Sequence, residues 1–327
     1  MEIVKYEDSM EIKWDQFIDR SSINGNLLQT RRFLNYHGKE KFKDASLLFM
    51  KGSNIVAVMP ANCLKDKGEM IYYSHQGSTF GGLVIGKQYK KIAEVEEILD
   101  LLEQYLKEEK YDKIILKQTS ELYAKEETEF LNYMFFNKGY QSMAEVGYYL
   151  ALKNVDIEHI ENTFSASRRR DYRYALKNSF SFRELCIDEI RTFYEILLNN
   201  MEKFHTNPVH TYEELIDLYQ NRIPEEIKFY GVFDRDEMIA GSMLFDFYHK
   251  VLHTQYLATK QDRLAQHPNE FLYYSLIKGA MQEEYPYISF GTATLEHGKV
   301  LNKSLAQFKE GFGTNQFVNY TYCKSLK

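Results

Sequence analysis

Two hydrophobic spacings alternate along the chain, and each predicts its own kind of element. Between Ile92 and Glu109, Ile92, Val95, Ile98, Leu99, Leu102 and Leu106 recur every three or four positions with charge on the opposite face. That period predicts an amphipathic helix. Shorter runs predict strands: Ile3 to Tyr6, Ala45 to Met50, Asn54 to Ala61, Met70 to Tyr73, Lys113 to Lys117 and Gly147 to Leu152. The second and third of these are joined by the turn Lys51-Gly52-Ser53. Helices are expected over Trp14 to Arg20, Thr30 to Tyr36 and Glu126 to Lys138, the second stopping near Gly38.

The order repeats in the second half. Ile187 to Met201 and Tyr212 to Gln220 read as helices. Lys228 to Phe233, Met238 to Phe245 and Val251 to Ala258 read as a three-strand meander, followed by a helix from Glu270 to Glu283 and a strand from Tyr287 to Phe290. A helix from Leu301 to Lys309 stops at Gly311, and Gln316 to Cys323 alternates like a strand. A weak internal repeat accompanies this order: Leu48-Phe49-Met50, a polar turn and Ile55-Val56-Ala57-Val58 match Tyr230-Gly231-Val232-Phe233, a polar turn and Met238-Ile239-Ala240-Gly241. Two domains follow, 1–152 and 153–327, with the junction near Lys153 to Ile157. Helix pairs, an antiparallel meander and a βαβ-like segment predict an α+β fold with a mixed sheet. No GxGxxG turn, Walker loop or GxSxG elbow occurs.

Composition narrows the function. The 327 residues carry a net charge of −6, against bulk binding to nucleic acid or an anionic membrane. Cys63, Cys186 and Cys323 are far apart and lack any CxxC or His/Cys ligand spacing, so no metal site or disulfide framework is expected. No apolar run reaches the ~20 residues of a membrane-spanning helix, and no secretory leader is visible. The expected location is cytoplasmic.

Several separated motifs resemble a bacterial family of FemAB-like acyltransferases of the GNAT superfamily. They are Asn207-Pro208-Val209-His210-Thr211-Tyr212-Glu213-Glu214-Leu215, His253-Thr254-Gln255-Tyr256-Leu257-Ala258, Phe290-Gly291-Thr292 and Gln307-Phe308-Lys309-Glu310-Gly311-Phe312-Gly313, with Gly298 and Asn302. In the first half, Ser74-His75-Gln76-Gly77 and Phe80-Gly81-Gly82 fit the same pattern. The resemblance spans almost the whole chain. It implies two tandem GNAT-like domains, each a mixed, mostly antiparallel sheet flanked by helices, with the last strand returning to the first domain. It also implies an N-acyltransferase acting on an amine of a cell-envelope or polysaccharide precursor, by direct transfer without a covalent enzyme intermediate. The donor would be acyl-CoA or aminoacyl-tRNA, and the acceptor a small or nucleotide-linked molecule. Alternatives are a peptidoglycan-bridge type of aminoacyltransferase that binds tRNA, and a non-catalytic sugar- or peptide-binding protein. The segment after the strand ending at Ala258 departs from acetyl-CoA enzymes: Lys260 to Asn269 holds no glycine, leaving Arg263 and the helix start near Asn269 to meet phosphate.

Acyl transfer to an amine needs a proton acceptor, donors for the oxyanion and a proton for the leaving group. His253 and Gln255, two apart on a strand, are expected to share a face with Leu257 beyond them. An ordinary imidazole titrates near neutrality and suits a base or relay. Lys309, late in the last helix, either stabilises the oxyanion or offsets the helix dipole. Glu296, in the loop before it, is a candidate base. His210, beside the N-cap Thr211, is a candidate acceptor contact, and His205 reads as ordinary loop. Arg168, Arg169, Arg170 and Arg173 form a candidate phosphate clamp. In the first half, backbone amides around His75, Gln76, Gly77, Gly81 and Gly82 could cradle a sugar or phosphate.

Overall fold

The computed structural model describes residues 1–38, 40–203 and 206–327, and His205 lies outside them. Internal contacts divide the chain into two units: Met1–Glu145 with Val318–Lys327, and Val146–Phe317.

The first unit begins with β1 (Glu2–Lys5), α1 (Glu11–Gln16), α2 (Arg31–Leu34), β2 (Leu47–Lys51) and β3 (Asn54–Met59). It continues with β4 (Asn62–Asp66), β5 (Glu69–Tyr73), β6 (Val84–Ile85), α3 (Ile92–Glu108), β7 (Lys113–Lys117) and α4 (Phe130–Asn137). One sheet is antiparallel in the order β1-β2-β3-β6. In the other, β4 pairs antiparallel with β5, and β5 parallel with β7. The predicted face of α3 buries Val95, Ile98, Leu99, Leu102 and Leu106 against Tyr72, Leu116 and Phe135. Two helices are shorter than their periodicity suggested. After α1 the backbone widens into a π-helical turn, Phe17–Ser21. α4 begins only at Phe130, because the Glu121 carboxylate accepts both the backbone N–H and the hydroxyl of Thr128 and holds the preceding segment in a turn.

β8 (Gln141–Ala151) leads into the second unit. There follow α5 (Ala166–Ala175), β9 (Phe180–Glu184), α6 (Ile187–Glu202), α7 (Tyr212–Asp217), β10 (Ile227–Asp234), β11 (Glu237–Phe247) and β12 (Val251–Thr259). The chain then forms α8 (Pro268–Gln282), β13 (Tyr287–Thr292), the short hairpin β14 (Thr294–Leu295) and β15 (Val300–Leu301), α9 (Lys303–Glu310) and β16 (Asn315–Ser325). The end of β16 pairs antiparallel with β7, within the first unit. The sheet of the second unit runs β8-β13-β12-β11-β10-β9. Only β12 and β13 are parallel within it. Its core packs Leu272, Tyr273, Leu276 and Ile277 of α8 against Ile239, Leu244, Leu252 and Ile288 of the strands. Thr211 caps α7 as expected, in a reciprocal box with Glu214. Both units are therefore α+β, with mixed sheets and flanking helices, and the internal repeat corresponds to the hairpins β2–β3 and β10–β11.

Candidate active site

The parallel pair at the centre of the second unit comes apart partway along. β12 and β13 are in register at Val251 with Tyr287, Leu252 with Ile288 and His253 with Ser289, and the ladder ends there. Each strand is irregular on its outer side just past that point. Against β11, the register slips so that Gln255 has no opposite residue. Against β8, it slips at Phe290. A bulge bends its strand and re-aims side chains, and here two bulges flank one opening. Gly291 follows in the left-handed region at φ +71°, which a side chain would strain. The slip also corrects the expected face: Leu257 packs with Leu252 into the core instead of standing beside His253.

Lys309 reaches the opening from the last turn of α9. It is 6% exposed, and its Nζ donates to the Thr292 carbonyl at 2.6 Å. A methyl group built on Gly291 would lie 3.6 Å from His253 Cε1 and 3.8 Å from Lys309 Nζ, so both side chains border the same small space. Burial lowers the Lys309 ammonium from its ordinary value of 10.5 to about 7. Desolvation, and next the Lys309 charge, take His253 down to about 3 against a smaller opposing hydrogen bond with Gln255. This changes the roles read from the sequence. His253 is a neutral ring held in place, far too weak a base near neutrality, and Lys309 is the group that titrates there.

A chain of contacts fixes the imidazole. His253 Nδ1 lies 3.1 Å from Ser289 Oγ, which accepts the Gly291 N–H at 3.2 Å. Gln255 bonds both His253 and Tyr256. The Tyr256 hydroxyl meets His210 Nδ1 at 2.8 Å and accepts the Val209 N–H at 3.1 Å. His210 is thus buried, joined to His253 through Tyr256 and Gln255, and anchors the loop before α7. Beside this network, Tyr148 donates to Glu310 at 3.1 Å. Ser289 and Tyr148 escaped sequence reasoning, and Tyr256 and Gly291 entered it only as motif members without a role. Their signal was weak, since a serine and two tyrosines on apolar strands read as core.

The structure separates the remaining candidates from this opening. Glu296 is exposed in the β14–β15 turn at φ +51°, and among the described residues no hydrogen bond or ion pair joins it to His253, Gln255 or Lys309. The arginine clamp is dispersed. Arg168 pairs with Glu270 and lies over the Phe308 ring, 4.4 Å from its centroid. Arg169 donates to the carbonyls of Glu161, Asn162 and Phe164 at the turn before α5. Arg170 pairs with Asp171, and Arg173 is exposed. Arg263 pairs with Glu237 and Asp234. The buried Glu270 sits in the first turn of α8, where it already answers the helix dipole. Asp171, His267 and Glu270 bring ligand-type atoms within 4.8 Å of one another, but both carboxylates are engaged by Arg170 and Arg168.

In the first unit the loop from Ser74 to Gly82 is tied to the fold. The amides of Gly81 and Gly82 both donate to the Lys117 carbonyl, that of Gln76 to Asn62, and that of Gly77 to His75 Nδ1. These amides are therefore spent internally and do not form the expected cradle. His75 is 4% exposed, and burial lowers its pKa to about 3. Gly77 and Gly82 are glycines for packing: a methyl group would lie 2.1 Å from His37 Nε2 at the first and 2.2 Å from Gln118 Oε1 at the second.

Comparison with known proteins bears on the fold. Residues 166–299 match the family described as acetyltransferase (GNAT) domain. No curated protein sequence matches the chain. The crystal structure of FemX superposes with a TM-score of 0.67 at 13% identity, over 98% of this chain and 97% of that one. The C-terminal domain of a putative lysylphosphatidylglycerol synthetase from Agrobacterium fabrum gives 0.60 at 9% identity, over 97% and 92%. A tandem GNAT protein from the clavulanic acid biosynthesis pathway gives 0.54 at 9% identity, over 100% and 98%. Residues 166–299 thus carry the signature of a GNAT acetyltransferase domain, and the chain as a whole has the fold seen in FemX and in the tandem GNAT protein.

Proposed function

We propose that this protein transfers an acyl or aminoacyl group directly to an amine of a cell-envelope precursor, at the opening between β12 and β13. The observation that carries the reading is Lys309, a buried amine lowered to about 7 that meets His253 at Gly291. Near neutrality a substantial share of it is uncharged and can accept a proton. The acceptor ammonium gives its proton to Lys309. The freed amine attacks the donor carbonyl carbon and a C–N bond forms. As the tetrahedral intermediate collapses, the bond to the leaving sulfur or oxygen breaks and the proton held by Lys309 passes to that atom; the nitrogen of the new C–N bond then gives its surplus proton to the freed Lys309 amine, which releases it to solvent. No covalent enzyme intermediate is required. His253, neutral and fixed by Ser289 and Gln255, positions the reacting carbonyl.

The donor site favours an aminoacyl ester over CoA. At the place where a CoA pyrophosphate would meet a helix start, Glu270 occupies the first turn of α8, and Arg168 and Arg263 are already paired with carboxylates. The test incubates the purified chain with aminoacyl-tRNA or acyl-CoA and with amine-bearing envelope precursors, and follows product by mass spectrometry. Transfer that depends on Lys309 and prefers aminoacyl-tRNA supports the reading. Undiminished transfer by Lys309→Met would overturn it.

A further inference from the structure

We propose that the first unit carries a separate binding groove for an amphipathic anion: an alkyl chain ending in a phosphate or a similar acidic group. The groove encloses about 810 Å³ beside α1, within the range of small-molecule sites. It is distinct from the acyl-transfer opening, which lies in the other unit.

Its two surfaces differ in chemistry. The floor is the open part of the β1-β2-β3 sheet, where Val4, Leu48, Met50 and Ile55 face the groove. Phe17 closes one wall. The rim carries Lys13, Arg20 and Lys87, all exposed, against one carboxylate, Glu2. Lys13 and Arg20 fall seven residues apart, one of them on α1 and the other in the π-helical turn that follows, a type of irregularity often found at functional sites. Among the described residues, none of the three cations forms an ion pair, in a chain whose net charge is −6. Lys125, whose amine donates to the Ile18 and Asp19 carbonyls, feels burial first, then the Asp19 carboxylate, and then the Lys87 charge, which places Lys87 within electrostatic reach of a further cation at this edge. An apolar floor under an unpaired cationic rim suits a ligand with an aliphatic chain and an anionic head. A neutral amphiphile would leave the rim unanswered, and a bare anion the floor.

Trp14, the single tryptophan, packs in the same small cluster as Phe17 and Leu48 and serves as a fluorescent reporter, with calorimetry as an independent readout. The experiment titrates the full chain with n-octyl phosphate, inorganic phosphate and n-octyl glucoside below their micelle concentrations. Saturable binding of octyl phosphate, at least ~10-fold tighter than either control, is expected from joint burial and charge pairing. Arg20→Glu and Lys87→Glu, both at exposed positions, should each weaken it about 10-fold with unchanged melting temperature. Ile55→Asp should erase the advantage of the octyl chain over phosphate. Co-sedimentation with phosphatidylglycerol vesicles, if lost in Arg20→Glu, assigns the ligand to a bilayer, and binding without co-sedimentation assigns it to a free amphiphile. Equal affinity for octyl phosphate and inorganic phosphate, or charge-reversal variants that bind as the parent does, would overturn the proposal.

Discussion

The ring of His253 and the amine of Lys309 both lie in contact range of one missing methyl group: that of Gly291, whose Cβ would sit 3.6 Å from one and 3.8 Å from the other. These are ordinary contact distances, so Gly291→Ala would not be expelled by clash. It would occupy the space that both groups border and force alanine into φ +71°. The backbone cost is about 1–2 kcal/mol, visible as a modest drop in urea midpoint. Transfer activity should fall much further than that loss explains. Full activity in a folded Gly291→Ala protein would show that no reactant occupies this space.

Lys309 also links stability to pH. Its folded pKa, about 7, lies below the unfolded value of 10.5, so between those two values the unfolded chain binds more protons. Stability from this group is fully present above 10.5 and declines as pH falls through that window, by up to ~1.4 kcal/mol per pH unit. Lys309→Met removes the dependence. The difference in unfolding free energy between variant and parent should favour the variant most below pH 7 and narrow steadily towards pH 10. Parallel curves would contradict the assigned environment.

His75 and His253 act at the acid end. His75 takes up a proton near 6.5 when unfolded but only near 3 when folded, so its contribution is intact above 6.5 and is lost as pH drops towards 3. His253 shifts in the same direction. His75→Asn keeps an acceptor near the position of Nδ1 for the Gly77 N–H and cannot titrate. Its stability between pH 6.5 and 4 should fall less steeply than the parent's, by up to ~1.4 kcal/mol per pH unit, measured by denaturant titration.

Arg168 and Glu270 form a structural pair, not a phosphate clamp. Glu270 is 4% exposed, and Arg168 is fitted against Phe308 and Gly311. Glu270→Ala leaves the guanidinium without its carboxylate and should destabilise the protein by about 3 kcal/mol. Replacing both, Arg168→Met with Glu270→Leu, should recover much of that loss. Arg173→Ala should change stability by less than about 0.5 kcal/mol.

The α+β architecture was legible because each element announces itself locally. The heptad-like face of α3, the three-strand meander and the cap at Thr211 are read from spacing alone. His253, Gln255 and Lys309 were legible as residues, through the resemblance and their polarity in apolar surroundings. Their electrostatics were not. The pKa of His253 depends on burial and on a lysine 56 positions away, which no local window contains. The bulge at Gln255 was equally hidden, since strict alternation would have placed Leu257 beside it. The arginines misled for the same reason: a run of positive charge says nothing about the distant Glu270 or the backbone carbonyls that consume it.

The titration of Lys309 itself tests the central claim most directly. Carbon-13 labelled lysine would be incorporated, the Lys309 Cε resonance assigned by comparison with Lys309→Arg, and its shift followed from pH 5 to 11. A midpoint near 7, moving in His253→Ala, is the expected result. A midpoint near the ordinary 10.5, indifferent to His253, would mean that this amine stays charged under working conditions and takes no proton from the acceptor.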